Sequence, residues 1–388
     1  MNGLSENARR SRAGRMGRVR DRMADVGVAA LLLSHGADLP WLTGYEAMPL
    51  ERLTMLVVPA DGDVVLVVPA LEAPRVRDAG ELFDVRAWTE EEDPVAIVAD
   101  IVTAATGGAR LSPGTRLGIS DRAWSVSLLA LQACLPATAW VPASRVTAPV
   151  RAVKDPAEQA ALRAAGAAAD RVAAVLQSGG IPLVGRREAD VSADLARRLV
   201  AEGHDRVNFA IVGSGPNAAS PHHEPGGRVI GAGETVVCDF GGSLSLDGDV
   251  GYCSDITRTV VTGDPPSEVV ECYEVLREAQ EAATRAARAG CRAGAVDGVA
   301  RGIISAAGLG DRFIHRTGHG IGIEEHEDPY LVAGNDEILA PGHAFSVEPG
   351  IYLPGRFGLR LEDIVVIDEG GNPESLNQAD RSLVVVDA

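Results

Sequence analysis

The second part of the chain repeats one order of predicted elements, and this repeat is the strongest constraint on the fold. Two helices precede a group of strands, and the same order then returns. Apolar residues at intervals of three and four predict the helices, and runs of β-formers predict the strands. The pattern indicates a pseudo-symmetric α+β domain. The predicted strands are Asn208–Val212, Thr235–Phe240 and Gly251–Val261 in the first copy, and His343–Glu348, Arg360–Ile367 and Ser382–Val386 in the second.

The predicted helices have recognisable ends. Asp155 is expected to cap the first one, with Pro156 at its first position and Glu158 completing a capping box. The Gly179-Gly180 pair ends this helix, and a second helix follows through Val191, Leu195 and Leu199. The predicted helices of the second copy are Ser267–Ala289 and Ala295–Ala307.

Tryptophan and histidine divide the chain into two units. All four tryptophans precede residue 150, whereas seven of the eight histidines follow residue 200. The predicted join is Ala148–Pro156, so we expect one domain over 1–148 and a second, which carries the chemistry, over 149–388. Alternating strands and helices indicate an α/β layer in the first domain. They are the strands Val28–Leu33, Leu53–Val58 and Val64–Val68, and the helices Arg15–Val26, Pro94–Thr106 and Arg122–Ala133.

The charge balance excludes one class of partner. Acidic residues outnumber basic ones by 54 to 36, which gives a net charge of −18. Such a chain repels phosphate backbones, so we expect no nucleic-acid partner, but the excess fits both cation binding and solubility alone. We also expect no membrane partner and a cytoplasmic location, because the sequence has neither a long apolar run nor a secretory signal. Five cysteines without a C-x-x-C pair indicate reduced thiols.

Four acidic residues stand out because they accompany glycines or strand-like runs. They are Asp239, Asp255, Glu348 and Glu362. Burying several carboxylates together is costly unless cations compensate their charge. Two divalent metal ions would cancel four such charges. From the residues alone, a metal site and a structural network of ion pairs both remain open.

Three histidines cluster within twelve residues: His315, His319 and His326. His319 stands between two glycines, where missing side chains would let a metal ion or a substrate approach closely. The cluster favours a functional site. In contrast, we interpret the isolated His35, His204 and His343 as structural residues.

Two motifs resemble those of the pita-bread metallopeptidases, which include prolidase, aminopeptidase P, methionine aminopeptidase and the related creatinase. They are His315-Arg-Thr-Gly-His-Gly-Ile-Gly-Ile-Glu-Glu-His-Glu327 and Ser254-Asp-Ile-Thr-Arg-Thr259. The segment Val150–Glu158 is also similar to the entry into the family's catalytic domain. The resemblance is strong over about residues 150–388 and weaker before them. It implies an α/β creatinase-type N-terminal domain followed by an α+β pita-bread catalytic domain.

The resemblance also implies a set of site residues. The family's five metal ligands fall on Asp239, Asp255, His319, Glu348 and Glu362. Its substrate-handling histidines fall on His222, His315 and His326, and Arg360 matches an arginine beside the last ligand. His223 is a weaker neighbour of the set. Two metal ions, Mn²⁺ by ligand chemistry with Co²⁺, Fe²⁺ or Zn²⁺ as alternatives, would bridge a water molecule and lower its pKa. Glu348 would shuttle a proton, His326 would stabilise the oxyanion, and His222 and His315 would hold the substrate. Arg360 is expected to contact the substrate as well.

The expected function is hydrolysis of the peptide bond that precedes proline, by a homodimer in the manner of the family. The sequence leaves open whether dipeptides alone or longer peptides are cleaved. A different metal-dependent amide or amidine hydrolase on the same fold is one alternative, and a metal-free binding module is another. The five retained ligands argue against the binding module.

One spacing departs from the family pattern. Fifteen residues separate Asp239 from Asp255, more than the family usually places there, and Asp247 and Asp249 lie between them. Spacing alone favours Asp249 as the second ligand. We nevertheless predict Asp255, because Tyr252–Val261 resembles a rigid strand, whereas Asp247 and Asp249 are expected in water near a hairpin tip.

Overall fold

The computed structural model describes residues 6–77, 82–106, 111–246 and 248–386, which form two compact units. The first unit comprises Met1–Arg151 with the short segment Asp247–Val250, and the second comprises Ala152–Leu246 and Gly251–Ala388. The division between Arg151 and Ala152 falls within the segment Ala148–Pro156 and inside a helix, Ser144–Ala152. The domain bounds 1–148 and 149–388 stay a prediction. Both units combine helices with sheets, as the predicted fold class requires.

The first unit is built on one mixed six-stranded sheet, in the order β4-β3-β2-β1-β5-β6. Its core includes Leu32, Val57 and Val67 from the sheet and Val98 from a covering helix. The strands are β1 Ala30–Leu33, β2 Met55–Pro59, β3 Val65–Pro69, β4 Asp84–Trp88, β5 Arg116–Ile119 and β6 Ala139–Pro142. The helices are α1 Glu6–Val26, α2 Asp38–Thr43, α3 Pro94–Ala105, α4 Ser125–Cys134 and α5 Ser144–Ala152.

The second unit contains the repeated order of elements. Its helices are α6 Pro156–Gln177, α7 Glu188–Ala201, α8 Ser267–Ala286 and α9 Ala293–Ala306. The strands of the first copy are β7 Arg206–Ser214, β8 Thr235–Leu244, β9 Tyr252–Cys253 and β10 Ile256–Thr262. The second copy has β11 Gly318–Gly320, β12 Glu327–Leu331, β13 Ala344–Val347, β14 Gly350–Leu353, β15 Phe357–Arg360, β16 Asp363–Ile367, β17 Pro373–Ser375 and β18 Val384–Val386.

The helices of each copy pack on one of the two larger sheets, but β18, which the sequence predicts in the second copy, pairs with β10 in the sheet of the first copy. One sheet has the order β18-β10-β8-β7 with β9 beside β8, a second has the order β12-β11-β13-β16-β17, and β14 pairs with β15. One core joins Leu195 of α7 to Val236 of β8, and another joins Leu276 of α8 to Phe345 of β13. The capping box at Asp155 and Glu158 forms as predicted, and the helix begins at Pro156.

Two predicted strands are interrupted. Gly251–Val261 is broken at Ser254 and Asp255 into β9 and β10, and Arg360–Ile367 is broken at Leu361 and Glu362. The prediction of Asp255 within a continuous strand was therefore wrong. Both interruptions contain acidic residues that the sequence predicts as metal ligands. A break frees a side chain from the strict alternation of a strand, so the breaks can direct these carboxylates toward a common point.

Candidate metal centre

The five predicted ligands come from five different places in the second unit. Asp239 lies in the middle of β8, and His319 is the central residue of β11. Asp255 lies between β9 and β10, Glu348 directly follows β13, and Glu362 lies between β15 and β16. Strand pairing places Thr257 of β10 directly opposite Asp239. Thr257 donates a hydrogen bond of 2.7 Å to Glu362 Oε2.

Three of the five residues form a tight buried group. One ligand atom each from Asp255, His319 and Glu362 can be chosen so that the three atoms lie within 4.8 Å of one another. His319 Nε2 is 3.8 Å from Asp255 Oδ2 and 3.3 Å from Glu348 Oε1. Its other ring nitrogen, Nδ1, lies 3.0 Å from the carbonyl oxygen of Gly320. If this contact is an N–H donation, Nε2 presents its lone pair to the carboxylates, as a metal ligand requires.

Unsatisfied carboxylate oxygens distinguish a metal site from a network of ion pairs. Within the described residues, Asp239 Oδ1, Asp255 Oδ1 and Glu362 Oε1 are buried and have no hydrogen-bond partner. Buried polar atoms are normally paired, because leaving one unpaired costs about 1–3 kcal/mol. An ion-pair network would supply donors to these oxygens, whereas a metal ion would use their lone pairs directly. The oxygen and imidazole donors therefore fit bound divalent cations.

Burial shifts the ionisation of the group. It raises the pKa of Asp255 and of Glu362 well above their usual values, and neighbouring carboxylates add to both shifts. Burial likewise raises the pKa of Glu348 to about 7, and it lowers the pKa of His319 to about 3. The repulsion between neighbouring carboxylates would disappear if a bound cation neutralised their charge.

The predicted substrate-side histidines lie beside this group. The rings of His319 and His326 have centroids 3.9 Å apart. His315 is half-buried, and its Nε2 is 2.9 Å from the hydroxyl of Tyr352. His222 is exposed, in a turn after β7, yet its charge contributes to the lowered pKa of both His315 and His326. His326 therefore adjoins the candidate centre directly, and His315 adjoins it through Tyr352 and Arg360. His222 follows Pro221, whose carbonyl oxygen accepts from Arg360.

Arg360 is buried and points toward the predicted ligands. Its Nη2 is 2.5 Å from Asp239 Oδ2, and its Nε donates to Thr257 Oγ1 over 3.0 Å. Its Nη1 donates to the Tyr352 hydroxyl and to the carbonyl oxygen of Pro221, each over 3.1 Å. The guanidinium thus orients a ligand, and its predicted contact with substrate stays a prediction.

The competing second-ligand position lies elsewhere. Asp249 groups with the first unit, where it accepts a hydrogen bond of 2.6 Å from Arg12 and lies 3.7 Å from Arg15. Its side chain is only 11% exposed, so the prediction of Asp249 in water was wrong. Asp247 lies outside the described residues.

Comparison with known proteins decides the family. The model of "Metallopeptidase family M24" matches residues 158–369, and that of "Creatinase/Prolidase N-terminal domain" matches residues 15–153. The chain belongs to metallopeptidase family M24. As an M24 enzyme with a pita-bread catalytic domain it is a hydrolase, and the predictions of family, fold and enzyme class are confirmed.

Relatives of this M24 chain extend over nearly its whole length. "Probable dipeptidase PepE" of Mycobacterium tuberculosis is 45% identical over 94% of this chain and 93% of that protein. "Xaa-Pro dipeptidase" of Lactobacillus helveticus is 34% identical over 91% of this chain and 94% of that protein. The crystal structure of dipeptidase PepE from Mycobacterium ulcerans superimposes with a TM-score of 0.89 at 42% identity, over 99% of this chain and 100% of that one.

The M24 centre uses residues that sequence analysis missed. Thr257, Ser346 and Tyr352 contact Glu362, Glu348 and His315, respectively. Thr257 had a detectable signal, because it alternates with Asp255 in Ser-Asp-Ile-Thr-Arg-Thr. Ser346 and Tyr352 had none, since a serine or tyrosine among apolar residues is usual in a strand.

The three histidines interpreted as structural have ordinary partners in the M24 chain. His204 is buried, with Nδ1 3.1 Å from the carbonyl oxygen of Leu199 and Nε2 2.8 Å from the hydroxyl of Ser254. The ring of His35 packs at a tilt against Trp124. His343 is buried beside Lys154. Within the described part of the chain, no helix has both the length and the apolar character that crossing a membrane requires.

Proposed function

We propose that this M24 enzyme cleaves the peptide bond that precedes proline and that it uses two divalent metal ions. The supporting observation is the set of unpaired buried oxygens on Asp239, Asp255 and Glu362, which need cations rather than protein donors. We assign Asp239, Asp255, His319, Glu348 and Glu362 as the ligands. Specificity for Xaa-Pro peptides is proposed because the relative from Lactobacillus helveticus is an Xaa-Pro dipeptidase.

The bound ions would activate a water molecule and polarise the carbonyl group of the scissile bond. Oxygen and imidazole ligands favour Mn²⁺, with Co²⁺, Fe²⁺ or Zn²⁺ as alternatives. Asp239 and His319, each within a strand, would hold the ions together with the three acids that follow or interrupt strands. We also propose that the enzyme is a homodimer and that it is located in the cytoplasm.

Glu348 is the proposed proton carrier. Burial raises its pKa to about 7, so both protonation states are accessible near neutral pH. Ser346 Oγ donates to its Oε1 over 3.2 Å and holds the carboxylate in place. A carboxylate in this position can take a proton from the attacking water and deliver it to the leaving nitrogen.

His326 is the proposed donor to the developing oxyanion. Burial lowers its pKa, and the charge of Arg316 lowers it further, so the ring is neutral at pH 7 and retains one N–H donor. His222 and His315 would contact the peptide beside the prolyl ring.

A hydrolysis panel tests this proposal. The purified enzyme is assayed on Xaa-Pro dipeptides, Xaa-Pro-Yaa tripeptides and matched Xaa-Ala peptides, before chelation, after chelation and after return of Mn²⁺. We expect cleavage before proline that chelation abolishes and Mn²⁺ restores. Undiminished turnover in protein that elemental analysis shows to be free of metal would contradict the metal proposal. Equal rates on Xaa-Ala peptides would contradict the specificity. If no peptide is cleaved but an added amidine substrate is, the result would favour the alternative hydrolase.

A further inference from the structure

Glu188 is a completely buried carboxylate at the start of α7. Its Oε1 accepts hydrogen bonds from the N–H and the hydroxyl of Ser214, over 2.8 and 2.7 Å. Both of its oxygens accept from Asn217 Nδ2, over 3.1 and 3.0 Å, and His223 Nε2 lies 2.8 Å from Oε2. This acid therefore binds one short stretch of chain at three residues.

That stretch carries His222. It leaves β7 at Ser214, passes through a 3₁₀ turn at Gly215–Ala219 and reaches the turn at His222. The residue after His222 contacts Glu188, and the carbonyl oxygen of the residue before it accepts from Arg360. Because the side chain of His222 is itself exposed, its anchored neighbours determine where its ring lies.

Asp297 has the same arrangement in the second copy of the repeat. It is completely buried in α9, and its Oδ1 accepts from the N–H and the hydroxyl of Thr317, over 3.0 and 2.9 Å. It also binds Arg301 through two contacts of 3.0 and 2.9 Å. Arg301 then donates to the carbonyl oxygens of Phe313 and His315, over 2.9 and 2.8 Å.

The two acids occupy comparable places. Each belongs to the second helix of its copy, and each accepts from the N–H and the hydroxyl of a residue at a strand end. This residue is Ser214, the last of β7, or Thr317, directly before β11. Helix packing alone does not require a buried carboxylate, which is costly unless fully hydrogen-bonded. The hydrogen-bond partners of Glu188 and Asp297 named above lie within nine residues of a predicted substrate-side histidine, with the exception of Arg301. Arg301 donates to the carbonyl oxygen of His315 itself.

We propose that Glu188 and Asp297 are positioning residues, one in each half of the catalytic unit. Glu188 fixes the segment that presents His222, and Asp297, through Thr317 and Arg301, fixes the segment that presents His315. The inference rests on the proposed function, in which both histidines contact the peptide.

Double-mutant cycles test the assignment. Glu188→Gln and Asp297→Asn are each combined with His222→Ala and with His315→Ala, and kcat and KM are measured well below the melting temperature. We expect either acid variant alone to lower kcat/KM about 10-fold, chiefly through KM, since it misplaces groups that bind substrate. Metal content should not change.

The cross-pairs are the matched controls. Glu188→Gln should cost less than about twofold when His222 is already alanine, but should keep its about 10-fold cost when His315 is alanine. Asp297→Asn should cost less than about twofold when His315 is already alanine, but should keep its about 10-fold cost when His222 is alanine. Equal costs in both backgrounds, or melting temperatures that fall without any kinetic change, would overturn the proposal and leave the acids as purely structural.

Two further choices keep the test decisive. If Glu188→Gln does not fold, Asn217→Ala replaces it, because it removes one contact to the segment and leaves Glu188 bonded to Ser214 and His223. The cycles use whichever peptide the enzyme hydrolyses fastest. A failure to cleave before proline would then contradict the proposed function, while the coupling between acid and histidine would still be measured.

Discussion

At the residue scale, hydrogen bonding separates the two aspartates that compete as the second ligand. Asp255 has a buried oxygen without a partner among the described residues, whereas Asp249 binds two arginines of the first unit. A residue whose oxygens are already paired with guanidinium groups has little left to offer a metal ion. The distinction predicts opposite outcomes for two chemically identical substitutions.

We expect Asp255→Asn to lose a metal ion and to lower activity by more than about 100-fold, beyond the loss usual for groups that only orient a ligand. Asp249→Asn should retain metal and activity. It should instead lower the free energy of unfolding by about 3 kcal/mol, because it removes the carboxylate charge that pairs with two buried arginines, Arg12 and Arg15. Elemental analysis, peptide hydrolysis and denaturant titration measure the three quantities. Loss of metal from the Asp249 variant would show that the long spacing had changed the site.

His326 and His319 give a second contrast, because their adjacent rings, tilted by 48°, have different expected roles. His326→Ala should lower kcat by about 10²–10³ with metal still bound, the size usual for removal of one oxyanion donor. His319→Ala should release metal. Elemental analysis alongside single-turnover kinetics distinguishes the two, and a His326 variant that loses metal while the His319 variant keeps it would reverse the assignment.

At the element scale, the start of α6 connects the helix to the sheet. Glu158 closes the capping box with Asp155, and its Oε1 also accepts a 2.7 Å hydrogen bond from the hydroxyl of Tyr252 in β9. Asp155→Ala should cost about 1 kcal/mol, the usual loss for a cap. Glu158→Ala should cost about 1–3 kcal/mol more, because it also leaves the Tyr252 hydroxyl buried without this partner. Denaturant titration with Tyr252→Phe as control checks this, and equal costs would contradict it.

This cap was predictable from sequence, and the interruptions of the strands were not. A cap is a local pattern in which Asp155, Pro156 and Glu158 occupy fixed offsets, so three residues suffice to recognise it. The breaks at Asp255 and Glu362 depend on residues far away in sequence, such as Thr257 acting on Glu362 across 105 positions. The pairing of Arg12 with Asp249 could not be predicted either, because the two residues are 237 positions apart in the sequence.

At the scale of the whole molecule, buried histidines make the free energy of unfolding fall as the pH falls. Burial lowers the pKa of His343 to about 4, and the charge of Lys154 adds to the shift. In the unfolded chain the side chain of His343 has a pKa near 6.5, so it takes up a proton at a higher pH there than in the folded protein. The stabilisation is fully present above pH 6.5 and is lost between about pH 6.5 and 4, by up to about 3 kcal/mol.

Denaturant titrations of the wild type and of His343→Gln, at pH 7.5 and at pH 4.5, test this direction. The loss of stability between the two pH values should be smaller in the variant by about 2–3 kcal/mol. An identical loss in both proteins would show that His343 does not titrate in the folded state as expected.

The ion pair between Lys154 and Glu327 allows unfolding of the catalytic unit to be followed by proteolysis. Lys154 is the only lysine in the sequence, and its buried ammonium group pairs with Glu327, the residue after His326. A lysine-specific protease therefore has a single target, which native packing hides and unfolding exposes. Cleavage should yield two fragments, 1–154 and 155–388, at a rate that follows the population of the opened state. If metal ions stabilise the native unit, saturating Mn²⁺ should slow this single cut, and chelation should accelerate it.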